Sequence, residues 1–197
     1  MVEQIDRSAI QAELLAFVKP LWDHQDPANL KEADAATGKK LYTQKVDGQT
    51  TVQVAMQVDG VFVDDWRKFT ADWAKNMFGV SDQITITQLA DHQGHKCVHQ
   101  RTKVAIPLVA DRSMFQTYYR LDEGDSHIFI VSTRGNEPLA EQHKDQVGDG
   151  VVGAMINALR FTPIKDSCDE ECGTLLHQVL QADPKGSLPD MAKDRMA

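Results

Sequence analysis

The hydrophobic residues near the start of the chain recur at the spacing of an α-helix. They are Ile10, Leu14, Phe17, Val18 and Leu21. This spacing places them on one face of a helix, which is predicted to pack on a core. Ser8 and Gln11 have the spacing of a capping box, and Pro20 disfavours helical geometry in the residue before it. The pattern predicts a helix over 8–19, with Trp22 packed just after it.

The next patterned stretch alternates with the period of a β-strand. Apolar residues occupy the even positions of 52–58, and mostly polar residues separate them. Such alternation predicts a strand with one face toward the core and one toward water. Asp47-Gly48 is a favoured two-residue hairpin turn, so 41–46 is predicted to be the partner strand. The polar stretch 23–40 is predicted to be a connector.

A helical period returns at 63–78. Trp66, Phe69, Trp73 and Met77 lie on one stripe of such a helix. Acidic residues at 64 and 65 favour the N-terminus of a helix, and the glycine at 79 is a typical stop signal. We therefore predict a helix over 63–78 whose aromatic stripe packs under an edge of the sheet.

Turn signals divide the rest of the chain into strands. They are predicted near 83–90, 95–105, 114–121, 127–133, 150–161 and 173–182, with a last helix from about 188 to 197. The order is a helix, a hairpin, a helix, a run of antiparallel strands and a final helix. Separation of strands from helices favours the α+β class over repeated βαβ units. A length of 197 residues predicts a single domain over 1–197.

Composition and charge exclude several classes of function. The formal net charge is -8, which argues against nucleic acid as a partner because phosphate binding requires an excess of Lys and Arg. The chain has no run of apolar residues long enough to span a bilayer. It begins without the basic and apolar regions of a secretory signal. Three cysteines without such a signal favour a reduced, cytoplasmic protein.

Three groups of residues could carry chemistry and are predicted not to. The GDGVVG run at 148–153 matches a dinucleotide fingerprint, but a charged loop precedes it and a strand follows it. His92, His95 and His99 lie around a glycine-containing turn, where a solvated hairpin tip is favoured over a metal site. Cys168 and Cys172 are predicted to be free thiols on an exposed loop.

No familiar catalytic motif is present in the sequence. It contains no G-x-S-x-G, no P-loop and no H-E-x-x-H. His177 and Arg160 lie in the last predicted strands and could supply acid–base groups if they pointed inward. Polar strand residues mostly point outward, so the sequence predicts no catalytic residue, no metal site and no cofactor.

Three motifs nevertheless resemble one family. The run DPKGSLPDM at 183–191 resembles the D-x-K-G-x-L-P junction before the last helix of START lipid-binding domains. The run PLVADR at 107–112 resembles the loop before an R-D-F strand start in that family, with Ser113 and Met114 in place of the Asp and Phe. The third is the strand IFIVS at 128–132 followed by a charged loop up to Val147. The order of elements resembles START domains over nearly the whole chain.

The resemblance implies a helix-grip fold. In it a curved antiparallel sheet packs against the C-terminal helix and encloses a hydrophobic cavity. It also implies a gate at the cavity mouth, built from the loop at 106–112 and the last helix. The gate residues would be Pro107, Leu108, Val109, Leu188 and Met191. The alternative is that Pro107 ends a strand and its neighbours pack locally.

The registration of the family points Met114, Gln116 and Tyr118 into the cavity. Tyr118, Arg101 and Arg120 are the candidates to orient a ligand headgroup. The sequence departs from sterol-binding START proteins, because the position of their buried arginine falls on Tyr118 and that of its acidic partner falls near Met77. The predicted last helix is also short, at roughly 15 Å for ten residues.

The resemblance implies a cytoplasmic container for one lipid, of the sterol or phospholipid class, that transfers it between membranes without catalysis. Its partners would be that lipid and, transiently, a membrane; no protein partner is implied. Two alternatives remain open on the same fold. One is an enzyme of the cyclase or hydrolase kind, and the other is a non-catalytic protein-interaction module similar to the Hsp90-activator domains.

Overall fold

A single antiparallel sheet organises the chain. The computed structural model describes residues 5–34, 38–76, 83–103, 109–183 and 185. Within these ranges the strands are β1 (Leu30–Asp34), β2 (Lys39–Val46), β3 (Gln49–Asp59), β4 (Ile84–Gln88), β5 (Cys97–Thr102), β6 (Arg112–Glu123), β7 (Ser126–Ser132), β8 (Val151–Val152), β9 (Ala154–Lys165) and β10 (Glu171–Asp183). The helices are α1 (Arg7–Asp23), α2 (Val63–Ala71), α3 (Trp73–Asn76), α4 (Glu137–Gln142) and α5 (Lys144–Val147).

The strand order is β1-β2-β3-β10-β9-β7-β6-β5-β4. Every neighbouring pair on this path is antiparallel, and the short β8 adds a parallel pairing to β6. β1 and β4 form the two edges, so the described sheet does not close into a barrel. The predicted α+β class is confirmed.

Local sequence explains most of the hairpins. Asp47 and Gly48 both have positive φ, at 51° and 77°, which is the backbone of the type I′ turn that joins β2 to β3. The paired residues on either side, Val46 and Gln49, start a regular ladder. The turn between β6 and β7 is equally tight, and it sets Glu123 opposite Ser126. The turn lengths therefore fix which residues of neighbouring strands share a face.

The N-terminal helix is longer than predicted at both ends. It begins at Arg7, and its N-cap is Asp6, whose carboxylate accepts hydrogen bonds from the backbone N–H groups of Ser8 and Ala9. It also continues through Pro20 to Asp23. Proline removes one helical hydrogen bond, but the extra turn buries Trp22 against the sheet. Burial of this large ring offsets the lost bond.

Two stretches without a clear hydrophobic period were predicted wrongly. The presumed connector at 23–40 contains the edge strand β1, whose side chains are mostly exposed and therefore show no alternation. The presumed loop before Val147 contains α4 and α5.

The predicted helix over 63–78 is interrupted at Asp72 between α2 and α3, and the region 77–82 lies outside the described residues.

Two clusters of apolar side chains pack on opposite faces of the sheet. Leu14, Val18 and Trp22 of α1 pack on one face, with Tyr119 and Ile130 beneath them. We call this the α1 face. The opposite face, which α2 and α3 cover in part, we call the α2 face; its cluster includes Val98, Tyr118, Phe129, Val131, Leu159, Phe161 and Leu176. The central strands are therefore buried on both sides.

Helices α4 and α5 also lie on the α1 face, around Phe115. The buried Asn136 ties them to the sheet. Its side-chain amide donates to the carbonyl oxygens of Phe115 (2.8 Å) and Ser132 (3.2 Å), and its Oδ1 accepts from the Thr117 hydroxyl (3.0 Å). The α2 face is left free of this segment.

Candidate ligand-binding face

A continuous apolar wall runs across the α2 face. Residues that pair directly across antiparallel strands share a face, so the register can be followed from strand to strand. Met56 pairs with Leu176, which pairs in turn with Phe161. Leu159 pairs with Phe129, and Tyr118 pairs with Val131. The wall therefore extends from β3 across β10, β9 and β7 to β6.

The wall is covered unevenly. At one end Trp66 of α2 stacks on Phe161, with ring centroids 4.6 Å apart, and Trp73 of α3 lies 5.1 Å from the Phe129 ring. Toward β3, β9 and β10 the apolar side chains are half-buried: Val52, Val54, Met56, Met155 and Leu180. Aligned apolar groups that keep contact with water favour the binding of a further apolar group.

Two amide pairs interrupt the apolar wall. Gln116 Nε2 donates to Gln100 Oε1 at 3.1 Å, and Gln178 Nε2 donates to Asn157 Oδ1 at 2.8 Å. Each pair joins neighbouring strands on the α2 face. Because the amides bond to each other, they lower the cost of burying polar groups in this wall.

The Tyr118 hydroxyl is the exception among these polar groups. The residue is 4% exposed, and within the described ranges its hydroxyl oxygen has no hydrogen-bond partner. The ring lies edge-on to Phe129, with centroids 5.5 Å apart. Burial raises the pKa of this phenol, so it stays protonated and can donate. A buried hydroxyl without a partner is costly, which makes Tyr118 the strongest candidate for a polar contact with a ligand.

Comparison with solved structures identifies the fold. Human STARD10 matches with a TM-score of 0.65 at 13% identity, covering 99% of this chain and 74% of that chain. Human StAR-related lipid transfer protein 5 also matches at 0.65, with 15% identity over 95% of this chain and 88% of that chain. The chain has the helix-grip fold of the START domains. A fragment of a STAR-related lipid transfer protein from Xanthomonas axonopodis matches at 0.60, with 17% identity over 85% of this chain and 89% of that chain.

The sequence itself matches no protein-family model and no curated protein. At identities of 13–17% the comparison establishes the START fold. The ligand of this chain has to be argued from its own residues.

The predicted ligand contacts separate into two groups on the START fold. Met114, Gln116 and Tyr118 are buried on the α2 face, and Arg120 shares their face at the exposed end of β6. Arg101 pairs with Ser113 and so belongs to the α1 face, where its guanidinium lies 2.8 Å from the Asp111 carboxylate. The sequence does not fix how β5 pairs with β6, so it could not predict the face on which Arg101 lies. In the structure Arg101 lies on the opposite face from Met114, Gln116 and Tyr118, so it is not one of the contacts on the α2 face.

Most of the predicted gate lies outside the described residues. Pro107, Leu108, Leu188 and Met191 lie outside them, as does the predicted last helix. Met77, the position of the predicted acidic partner, also lies outside the described residues. Val109 is described, and it is half-buried just before β6. The gate remains a prediction.

Arg160 and His177, the candidate acid–base residues of an enzyme, lie on the α1 face. Arg160 and His177 pair across β9 and β10, and the guanidinium donates to Asp23 at 2.9 Å. The same guanidinium lies over the Trp22 ring, 5.1 Å from its centroid. Arg160 therefore holds α1 against the sheet, and His177 lies beside it on the α1 face rather than facing the apolar wall.

This arrangement predicts a pH dependence of stability. Burial, with a smaller effect of the Arg160 charge, lowers the pKa of His177 from 6.5 to about 4. Well above pH 6.5 the imidazole is neutral whether the protein is folded or unfolded. As the pH falls toward 4, the unfolded chain takes up a proton that the folded chain does not, so stability falls. We expect His177 to contribute a loss of about 2 kcal/mol between pH 7 and pH 5.

Urea unfolding at pH 7 and pH 5 would measure this loss. The variant His177→Gln should show a smaller decrease in the free energy of unfolding than the wild-type protein. The difference between the two proteins isolates His177, because burial also lowers the pKa values of His99 and His127. An equal decrease in both proteins would contradict the prediction.

The other candidate groups occupy ordinary structural positions. His92 and His95 bridge the β4–β5 turn through their backbones, while His99 is buried beside Ser113, with 3.1 Å between Nε2 and Oγ. Cys168 and Cys172 are exposed free thiols, as predicted. Within the described ranges, no three His, Cys, Asp or Glu side chains are grouped to hold a metal ion. No helix in the described part is long and apolar enough to cross a membrane.

Several residues of the wall were missed from the sequence. They include Phe129, Val131, Leu159, Phe161 and Leu176. A usable signal was present, because the tight β6–β7 turn places Val131 opposite Tyr118. The register could not be carried on to the β9 residues in the same way, because α4, α5 and β8 lie between β7 and β9. The β3–β10 pairing joins distant segments, and no local signal predicts it.

Proposed function

We propose that this chain binds one lipid, of the sterol or phospholipid class, against the α2 face and transfers it between membranes. The observation that carries the proposal is the apolar wall, which is half-buried toward β3, β9 and β10 and contains at Tyr118 a buried hydroxyl with no partner in the part of the chain that the structure describes. Each methylene removed from water contributes about 0.8 kcal/mol, so an acyl chain or sterol ring on this wall would supply most of the affinity. One or two polar contacts would orient the headgroup.

The names of the structural neighbours support the same class of function. Two of them are named StAR-related lipid transfer proteins. In our proposal the chain acts as one domain in the cytoplasm, and it contacts membranes transiently while loading and unloading. Pro107, Leu108, Val109, Leu188 and Met191 would form the gate, since a lipid can enter an apolar site only if a cover of low stability opens.

No catalytic step is part of the proposal. The acid–base pair that would favour an enzyme lies on the opposite face, where Arg160 bonds to Asp23 of α1 and to His177. An interaction module would instead need a filled α2 face and an apolar docking patch elsewhere. The half-buried residues on β3, β9 and β10 favour lipid binding over both alternatives.

A lipid-uptake assay tests the proposal. Delipidated protein would be titrated with a fluorescent sterol and, separately, with a fluorescent phospholipid, each followed by an unlabelled competitor. We expect saturable binding of at least one probe that the competitor reverses. Transfer between donor and acceptor vesicles should then rise with protein concentration. Failure to bind any member of a broad lipid panel would overturn the proposal.

A further inference from the structure

A recess rich in cationic side chains lies at the covered end of the α2 face. It has a volume of about 350 Å³ and lies between α2, the β4–β5 turn and the ends of β6 and β7. Its lining includes Arg67, His95, Lys96, Tyr118, Arg120 and His127. We call it the Arg120 recess. Three cationic side chains around one recess stand out in a chain of net charge -8.

These cationic side chains differ in how many hydrogen bonds and ion pairs they already form with the protein. Arg67 is held by carboxylates, with Nε 3.0 Å from Asp122 and NH1 bonded to Asp64. Lys96 Nζ donates to the Ala71 carbonyl at 2.9 Å and lies 3.9 Å from Asp72. The guanidinium of Arg120 forms no ion pair and no hydrogen bond with any residue that the structure describes. Arg120 therefore keeps its full donor set for a ligand.

Tyr118 also lines the Arg120 recess. Its hydroxyl is buried and protonated, and it has no hydrogen-bond partner among the described residues. His127, by contrast, is fully engaged: Nε2 lies 2.9 Å from the Thr70 hydroxyl, and Nδ1 lies 3.0 Å from Asp122. This imidazole fixes α2 against the sheet and forms a rigid wall of the recess. The donors available to a ligand are thus Arg120, Tyr118 and, in part, Lys96.

We propose that the Arg120 recess binds a phosphate group. A phosphate monoester carries close to two negative charges and several strong acceptor oxygens. The guanidinium fork of Arg120 can bind two of those oxygens at once, and Lys96 adds a second positive charge. The Tyr118 hydroxyl can donate to another oxygen, which would satisfy it. The recess adjoins the apolar wall through the Tyr118 ring, so a phosphate there could belong to a lipid whose tails lie on the wall.

The phosphate has two possible sources, and they can be separated. One is the headgroup of a phospholipid, and this version rests on the proposed function. The other is free phosphate or a small phosphorylated molecule, which would bind whether or not the chain carries lipid. Inorganic phosphate tests the site alone. Vesicles that contain phosphatidic acid or diacylglycerol with the same acyl chains test the headgroup.

Three variants would be compared with the wild-type protein by calorimetric titration with inorganic phosphate and by lipid uptake. Arg120→Gln should weaken phosphate binding roughly tenfold, because a charge-assisted hydrogen bond is lost. Tyr118→Phe removes the hydroxyl and keeps the ring, and it should weaken binding about fivefold. Lys68→Gln is the matched control, since it removes one positive charge from an exposed position on α2 that does not line the recess.

The outcomes divide as follows. Phosphate binding that depends on Arg120 supports the proposal, and it does so even if no lipid binds, in which case the source is a soluble phosphate. A preference for phosphatidic acid over diacylglycerol that Arg120→Gln abolishes supports it with a headgroup as the source. Equal effects of Arg120→Gln and Lys68→Gln would overturn it, as would the absence of both phosphate binding and headgroup preference. Thermal unfolding of each variant would confirm that it is folded.

Discussion

Replacing Phe129 with alanine is expected to lower the free energy of unfolding by about 3–5 kcal/mol. Phe129 lies at the centre of the α2 face and is fully buried. Its ring contacts Trp73 from one helix and Tyr118 from the neighbouring strand, with centroids 5.1 Å and 5.5 Å away. The strands of a sheet cannot move inward to fill the space that an alanine leaves. The loss therefore includes both the apolar contact and the cavity.

Urea unfolding monitored by tryptophan fluorescence would measure the loss. Phe62→Ala is the matched control, because Phe62 is 40% exposed. We expect the control to change stability by less than about 1 kcal/mol. If the two variants differed by less than this amount, the aromatic cluster would not be the packed centre that the structure describes.

Replacing Val54 with arginine is expected to abolish lipid binding while the protein still folds. Val54 lies in the middle of β3 on the α2 face and is half-buried. An arginine there can keep its guanidinium in water while the site is empty. A bound lipid would trap that charge against apolar groups, which costs several kcal/mol when the charge is unpaired. We expect a loss of affinity of at least about a hundredfold.

The fluorescent-lipid titration measures this effect, and Val152→Arg supplies the control. This variant makes the same substitution in β8, at a residue that is 41% exposed and lies away from the apolar wall. Val152→Arg should bind lipid as the wild-type protein does. If Val54→Arg kept normal affinity, the lipid would have to bind somewhere other than the α2 face. That result would leave the Arg120 recess to be judged by its phosphate titration.

The sequence was most informative where one local period persisted. The alternation at 52–58 and the Asp47-Gly48 turn predicted the β2–β3 hairpin correctly, and the spacing of Leu14 and Val18 predicted α1. The prediction that one face of β3 meets water was wrong, because positions 51, 53 and 55 on that face are buried. The sequence was least informative where side chains are exposed on every side, as in β1, or where a charged stretch folds into short helices, as in α4 and α5. Hydrophobic periodicity reports burial, and these segments bury little.

For the candidate site, the alternation of side chains along one strand could be predicted from the sequence, but the pairing between strands could not. The alternation in β6 correctly grouped Met114, Gln116 and Tyr118 on one face. It could not say that Arg101 faces the other way, because that depends on the pairing of β5 with β6. It also could not assemble the Arg120 recess, whose side chains come from α2, the β4–β5 turn and two strands.

The sequence by itself determined the α+β class, the main hairpin and the first helix, because these depend on residues close together in the chain. The tertiary structure decided which face of each strand meets which helix, and so assigned His177 and Arg160 to α1 and Tyr118 to the apolar wall. It also placed Arg120 and Tyr118 in the lining of one recess. Pairing between distant segments sets these contacts, and pairing energy depends on the whole packed sheet rather than on any local stretch.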